Sequence, residues 1–459
     1  MNQERKTFNI SSSTDSSPSD QGESLTKDKK WQLVFLMILH VSGALFGLSL
    51  PFLELIPKME CQIGPAWKTC TKDEVCTQNL DYRVDWDSKY SIVNLITQVG
   101  LLCTEDYKIG LIGSLVFLGF IVSSVTIMPL ADIFGRKPVL LATSIISTTL
   151  AAFTVFASNL FQVYIFVFLI GCTILVRGTV SYIYIMETVP KNLEAKFIPV
   201  LTIIEKLVIC SIPIIFYMSQ DWTYIFVIYC TVSYGSIIYI CFIPESQKFL
   251  DHRKNKEDVG ETQSRNGDTE IQDTQEKQGF CDMIKQWSNL LNLFIMICCW
   301  SFTSSSYYLV SFYIKYFKGS VYINSLLFGV AGLVGTILFG ILIRVISSKK
   351  LFILAFMLTF VGSIGFTLTK NNGSLVPIWI LCMVTSLSIQ FSLCYFVNCE
   401  LFKPSFRTRI FSICNICARL FTMVSPMLVE LMENPIILMS VWAIGMILLA
   451  TRITIPKSE

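Results

Sequence analysis

Long apolar runs, each close to the length of a bilayer crossing, alternate along this chain with short polar breaks, and that rhythm restricts the fold more than any other property. The sharpest break is Asp132-Ile133-Phe134-Gly135-Arg136-Lys137. It is wedged between an apolar run from about Tyr107 to Ala131 and another from about Pro138 to Ser158. About 20 residues at helical rise cross the hydrocarbon of a bilayer. Inside it the backbone must satisfy its own N–H and C=O groups, which selects helices for runs of this kind. A tight charged turn between two such helices, an acid leading and two bases trailing, is an element suited to a cytoplasmic gate.

A soluble fold is excluded on composition. Of 459 residues, 53% are hydrophobic and only 15% charged, and no single core could hide so many separate apolar runs. A net charge of +3, dispersed along the chain, gives nucleic acid no footprint. The Ser-rich, charged stretch at 1–30 has no apolar core of signal-peptide type, and its acids disfavour a mitochondrial presequence. It is expected to be a disordered cytosolic tail, with the first span as an uncleaved targeting signal.

Twelve spans are predicted, near 31–53, 108–131, 138–158, 161–185, 197–219 and 222–243, then near 290–315, 322–346, 349–369, 374–397, 408–431 and 435–453. The breaks at 132–137, 186–196, 344–350 and 400–409 carry 2, 2, 3 and 3 Lys/Arg, against Lys315, Lys318 and Lys370 on the opposite short breaks. Basic loops stay cytoplasmic, which puts both termini in the cytosol and the 54–107 loop outside. The fold class expected is therefore an all-α membrane protein. Its first bundle spans 31–250, a polar cytosolic linker spans 251–289, and a second bundle with a short tail spans 290–459.

An internal repeat supports two halves. Glu187 and Glu400, each at the end of an apolar run, stand 213 positions apart, and Lys137 and Lys349, each in a basic turn, stand 212 apart. Two six-helix pseudo-symmetric bundles follow, the layout of alternating-access carriers. The second copy, Ser347-Ser348-Lys349-Lys350, keeps the bases and lacks the glycine and the acid.

Several motifs together resemble those of the major facilitator superfamily, and more narrowly its organic cation, anion and carnitine transporter branch. They are Asp132-x-x-Gly135-Arg136-Lys137, Glu187-x-x-Pro190, Pro244-Glu245-Ser246 with Phe249-Leu250 following, Tyr107 to Ser114, and a large Cys-bearing loop after the first span. The resemblance covers roughly Trp31 to Arg452. Departures exist: Met128 replaces a glycine four residues before Asp132, Lys248 replaces an arginine, and Pro404 lies one place late after Glu400. Ile455-Pro456-Lys457 stands where sugar porters end in Pro-Glu-Thr. The resemblance implies a carrier, not an enzyme, with no cofactor.

Two sets of candidate residues emerge. Asp132, Gly135, Arg136, Lys137, Glu187, Lys196, Glu245, Glu400 and Arg407 make a cytoplasmic gate, whose ion pairs would latch the halves while a cavity faces outward; the plainer alternative is that they set topology and solvate loops. Arg419, deep in an apolar run, is expensive there unless it faces a cavity or a partner. The resembling branch tends to carry Arg at this position in anion-preferring members. Arg419 is therefore expected to meet a carboxylate on the solute, or else to pair with Glu205. Glu205 and Lys206, neighbours pointing about 100° apart, are expected not to satisfy each other on one face. Arg177 is a further partner for Glu205, which is also a candidate proton-coupling site, and His40 is more readily an interior hydrogen-bonded His than a relay. Tyr307, Tyr308 and Gln390 are expected to line the cavity, with Ser304 to Ser306 serving either the cavity or helix packing.

Cys61, Cys70, Cys76 and Cys103 share the exterior loop and are expected to form two disulfides, in one of three possible pairings. No metal-ligand spacing, phosphate loop or nucleophile–base set is present in the sequence. The partners expected are the lipid bilayer and a small organic solute, with a coupling ion left open, and the unit is expected to act as a monomer in the plasma membrane or an endomembrane. The chain reads as a carrier of small organic ions, an anion or zwitterion preferred; a hexose carrier or a non-transporting scaffold are the alternatives.

Overall fold

The structure, a computed structural model, describes residues 26–251, 253–254, 285–402 and 404–454, less the side chains of 191–192, 194–196, 404–405 and 408. Six helices form the first half: α1 (Lys27–Leu53), α2 (Asp106–Thr126), α3 (Arg136–Thr154), α4 (Leu160–Thr188), α5 (Lys191–Ser219) and α6 (Trp222–Phe242). Six form the second: α7 (Trp287–Tyr313), α8 (Val321–Leu342), α9 (Ser348–Thr369), α10 (Val376–Leu401), α11 (Pro404–Thr422, continued by Ser425–Leu431) and α12 (Ile436–Ala450). Among the described residues eleven are long and apolar enough to span a bilayer, and α12, at 15 residues, is the short one.

Local chemistry explains the ends. Thr26 caps α1, so the helix starts four residues earlier than the sequence suggests. Asn159 accepts from the Gln162 N–H to start α4 and Asp221 from the Thr223 N–H to start α6. Proline marks the irregularities: Pro51 sits in the last turn of α1, Pro199 and Pro213 lie inside α5, and Pro426 restarts α11 after its break. The 1–30 tail and the 251–289 linker lie largely outside the described residues.

Large apolar side chains cover the outer surface. Phe156, Phe242 and Leu368 are about 80% exposed, as a bilayer-facing surface requires. Polar atoms turn inward instead, and helices approach through small residues. Between α2 and α4 the approach is closest: a Cβ on Gly119 would lie 2.5 Å from the Phe168 carbonyl and 2.7 Å from the Cys172 nitrogen, and one on Gly171 would run into the Val116 carbonyl.

The 54–107 loop is a small folded unit. Strands β1 (Met59–Ile63), β2 (Ala66–Cys70) and β3 (Tyr82–Val84) pair antiparallel in the order β2-β1-β3, with Met59 opposite Cys70 and Cys61 opposite Tyr82. Disulfides join Cys61 to Cys70 and Cys76 to Cys103. The unit docks on its own half: the Val93 N–H donates to Gln220 and the Trp222 N–H to Val93, while Asn94 Nδ2 donates to the Phe52 and Leu55 carbonyls. Tyr322 on α8 reaches across to it, donating to the Lys89 carbonyl at 2.7 Å.

This loop marks one end of the molecule, the loop end; the Asp132–Lys137 turn marks the other, the turn end. The halves meet toward the loop end. There α11 lies against α2, with Ser114 donating to the Met423 carbonyl at 2.8 Å and Pro426 against Gly113. On the other side α8 lies against α5, with Gly329 on Cys210.

Replacing Gly119 by Ala should lower the melting midpoint of the purified protein by several degrees, since the added methyl must separate α2 from α4. Gly235→Ala, where nothing lies within 4 Å, should not. Scanning fluorimetry on both variants checks the difference, and equal midpoints would contradict the close α2–α4 packing.

Candidate functional site

The turn-end charges form a compact clasp within the first half. Arg136, the first residue of α3, places Nη1 2.6 Å from Asp132 and 2.7 Å from the Ala131 carbonyl, and Nη2 3.3 Å from Glu187 at the end of α4. Glu245, just beyond α6, accepts from the backbone N–H groups of Arg136 and Lys137 at 3.0 to 3.2 Å. A carboxylate at a helix N-terminus satisfies orphan donors and meets the positive end of the dipole. Lys137 in return donates to the Ile243 and Cys241 carbonyls, at 2.6 and 2.9 Å. Gly135 turns the chain at φ +107°, and a Cβ there would run into the Glu245 carboxylate.

The second half repeats the clasp with weaker parts. Ser348 opens α9 where Arg136 opens α3, and its hydroxyl donates to Glu400 at the end of α10, 2.5 Å away. Lys349 donates to the Ile453 carbonyl after α12, at 2.8 Å, as Lys137 does after α6. Arg407 donates to the Phe402 carbonyl at 2.8 Å. None of these bonds crosses from one half to the other. The structure thus brings Asp132, Gly135, Arg136, Lys137, Glu187 and Glu245 together and leaves Glu400 and Arg407 in a separate group. The side chain of Lys196 lies outside the described residues.

Midway along the molecule, a second set faces the junction of the halves. Arg419 on α11 stands over the ring of Phe120 on α2, with 5.2 Å to its centroid, and its buried Nε and Nη1 have no acceptor. Lys206 on α5 stands 5.3 Å above the ring of Tyr307 on α7, and its Nζ is 3.5 Å from the Tyr307 hydroxyl. Tyr308 packs edge-on against Phe117 of α2, at 4.7 Å. Residues from both halves therefore build one aromatic and cationic region.

The acids behave differently from expectation. Glu205 makes no bond to Arg419 or Arg177; its nearest cation is its neighbour Lys206, at 3.8 Å. The adjacent residues do approach, yet the distance is too great for a hydrogen bond. Arg177 is fully buried among hydroxyls, with Tyr229 at 2.8 Å, Ser42 at 3.2 Å and Ser147 at 3.4 Å. His40 Nδ1 donates to the Gly178 carbonyl at 2.9 Å, within the first half. Gln390, fully buried, donates to Thr359 at 2.6 Å and accepts from Thr303 at 3.3 Å. Both partners belong to the second half, so Gln390 ties α7, α9 and α10 together and is not brought to the junction. Ser304 likewise accepts from Thr422 at 2.8 Å, binding α7 to α11.

Sequence reasoning missed one cluster. At the loop end Lys315, after α7, places Nζ 2.9 Å from Glu54 and 2.6 Å from Glu430. Their side chains are 2%, 1% and 4% exposed, so this is a buried triad of two acids and one base. Tyr316 donates to the second oxygen of Glu430 at 2.8 Å. Glu54 belongs to the first half and the other three to the second. The signal available in the sequence was three charges at the ragged ends of apolar runs, which read equally as snorkelling residues.

Gly135→Ala should cost about 1–3 kcal/mol, for a positive φ and a collision with Glu245 together. The measured sign would be a lower melting midpoint than for the Met128→Ala control; an unchanged midpoint would count against the clasp.

The comparisons with known proteins agree with this geometry. The description of the Major Facilitator Superfamily matches residues 90–426. Solute carrier family 22 member 4 of Mus musculus is 22% identical over 388 residues, 78% of this chain and 68% of the relative. Organic cation/carnitine transporter 2 of Homo sapiens is 23% identical over 359 residues, 73% of this chain and 64% of the relative, so the chain spans about two thirds of the length of both. Among solved structures, the inward open conformation of the xylose transporter XylE from E. coli superposes with a TM-score of 0.65 at 15% identity, covering 95% of this chain and 98% of that one. The likeness at that identity establishes the fold, and the family match establishes the class: this chain belongs to the Major Facilitator Superfamily, as a multi-pass membrane transporter.

Proposed function

We propose that the protein carries small organic ions bearing a carboxylate, zwitterions foremost, between its two halves by alternating access. Arg419 carries the reading. Among the described residues it has no counter-charge in contact, and two of its nitrogens, buried without acceptors there, fit a solute carboxylate. A charged donor left unpaired in a buried setting is costly, so an anionic group arriving there gains more than it would in water.

The surroundings favour an amphipathic solute. Tyr307, Tyr308, Phe117 and Phe120 offer ring faces that attract an ammonium group as well as apolar carbon. Glu205, whose side chain is 40% exposed, supplies an acid nearby. One relative's name, organic cation/carnitine transporter 2, pairs cations with carnitine, a molecule that joins a quaternary ammonium to a carboxylate. A solute of that type would set its carboxylate on Arg419 and its ammonium among the rings.

The contacts between the halves toward the loop end support a reading in which the site opens toward the turn end. The excess of Lys and Arg in the turn-end loops supports a cytosolic turn end, which would make this an inward-facing state. The clasp bonds described at the turn end lie within each half, and on this reading the outward-facing state would add contacts between the halves there.

Uptake of labelled carnitine-like zwitterions, organic anions, organic cations and hexoses into proteoliposomes tests the reading. Saturable uptake of carboxylate-bearing solutes is expected. Arg419→Ala should raise their KM by about 10- to 100-fold, matching the loss of one charge-assisted hydrogen bond of about 1.5–3 kcal/mol. Cation uptake should change little. Carboxylate uptake that survives Arg419→Ala unchanged would sink the substrate assignment, and no saturable uptake of any class would favour a scaffold.

A further inference from the structure

We propose that the Glu54–Lys315–Glu430 cluster at the loop end is a proton-binding site, with Glu54 holding a proton while that end is closed and releasing it when the end opens. The inference rests on the reading of a carrier whose halves part at the loop end, and it names the ion linked to that movement.

The argument begins with charge. Two carboxylates share one ammonium group in a site from which water is excluded, so full ionisation leaves a net negative charge in a low dielectric. The partners are shared unequally. Both oxygens of Glu430 are occupied, one by Lys315 Nζ at 2.6 Å and the other by the Tyr316 hydroxyl at 2.8 Å. Glu54 meets only Lys315, at 2.9 Å through Oε2, and its Oε1 is buried without any partner. An ionised carboxylate with an orphaned oxygen is the weaker claimant to the single cation, so Glu54 is the member that takes the proton.

The charged and titratable groups facing Glu54 are Lys315 and Tyr316 from the end of α7 and Glu430 from α11. From α2, Gly110 approaches the cluster, against the Glu430 side chain. Burial and the neighbouring Glu430 push the Glu54 carboxyl up to about 7, against the pull of Lys315. Once the halves part, Glu54 is hydrated and returns toward the ordinary carboxylate range near 4.3. The step is Glu54–COOH in the closed end to Glu54–COO⁻ plus a free proton in the open end.

The sign follows. The closed state binds one more proton than the open state at pH values between the two, so closure is favoured at low pH and lost as pH rises toward 7. In that window the closed-to-open ratio changes by up to about tenfold per pH unit.

Dyes attached through non-canonical amino acids at Ser158 and Asn372, exposed loop-end positions on opposite halves, report the separation by single-molecule energy transfer in nanodiscs. For the unsubstituted chain the closed-to-open ratio should fall by a few tens of fold from pH 5 to pH 7. Glu54→Gln should abolish that dependence and keep the end closed throughout. Glu430→Gln, which leaves one acid for one base, should also flatten it between pH 5 and 7. A pH-independent ratio in the unsubstituted chain, or variants that follow it unchanged, would overturn the proposal. No solute is needed, so a failed uptake screen would not produce a flat response, and a flat response would leave the role of Arg419 untouched.

Discussion

The fold depends on one constraint: a charge in a low-dielectric layer must find a partner, a cavity or a proton. Breaking a buried pair by removing one partner typically costs about 3–5 kcal/mol, whereas an exposed pair contributes about 1 kcal/mol or less. The molecule separates these regimes by depth. Arg136, Glu187 and Asp132 at the turn end are partly exposed, and their bonds can exchange partners at small cost. Lys315, Glu54 and Glu430 at the loop end are sealed. The two ends of the molecule thus hold their charges by different physics: exchangeable bonds within each half at the turn end, a sealed cluster between the halves at the loop end.

The near-repetition of the clasp shows how each half keeps its own shape. An acid ending the fourth helix of a half meets the residue opening the third, Glu187 with Arg136 and Glu400 with Ser348. A lysine one place later ties off the chain after the sixth, Lys137 on Ile243 and Lys349 on Ile453. The second copy lost its guanidinium and acid yet kept the bond, with a hydroxyl standing in. What looked in sequence like decay of a gate is, in three dimensions, retention of a joint with two fewer charged groups.

Most of the architecture was legible because the bilayer enforces it: span length, basic turns and the offset between Glu187 and Glu400 all follow from hydrocarbon thickness and duplication. Arg419 was legible for the same reason, as a lone charge in an apolar run. Gln390 was misjudged, since a polar side chain on a spanning helix serves the interior of a half or the junction between halves equally well, and periodicity does not separate the two. The loop-end triad was illegible because its members lie at positions 54, 315 and 430, each at the edge of a run where a charge is unremarkable alone. Only the packing of α1, α7 and α11 makes them one object.

The disulfide-bonded loop has a mechanical consequence. It is pinned to the first half through Val93 and Asn94, and it touches the second through the Tyr322 hydroxyl on the Lys89 carbonyl. In the proposed opening of the loop end, the loop would ride with the first half and slide off α8, and the Tyr322–Lys89 hydrogen bond would be the hem of the seal. A large ligand such as an antibody fragment, seated across Lys89 and Tyr322, would staple the two halves together at the loop end without reaching the junction around Arg419.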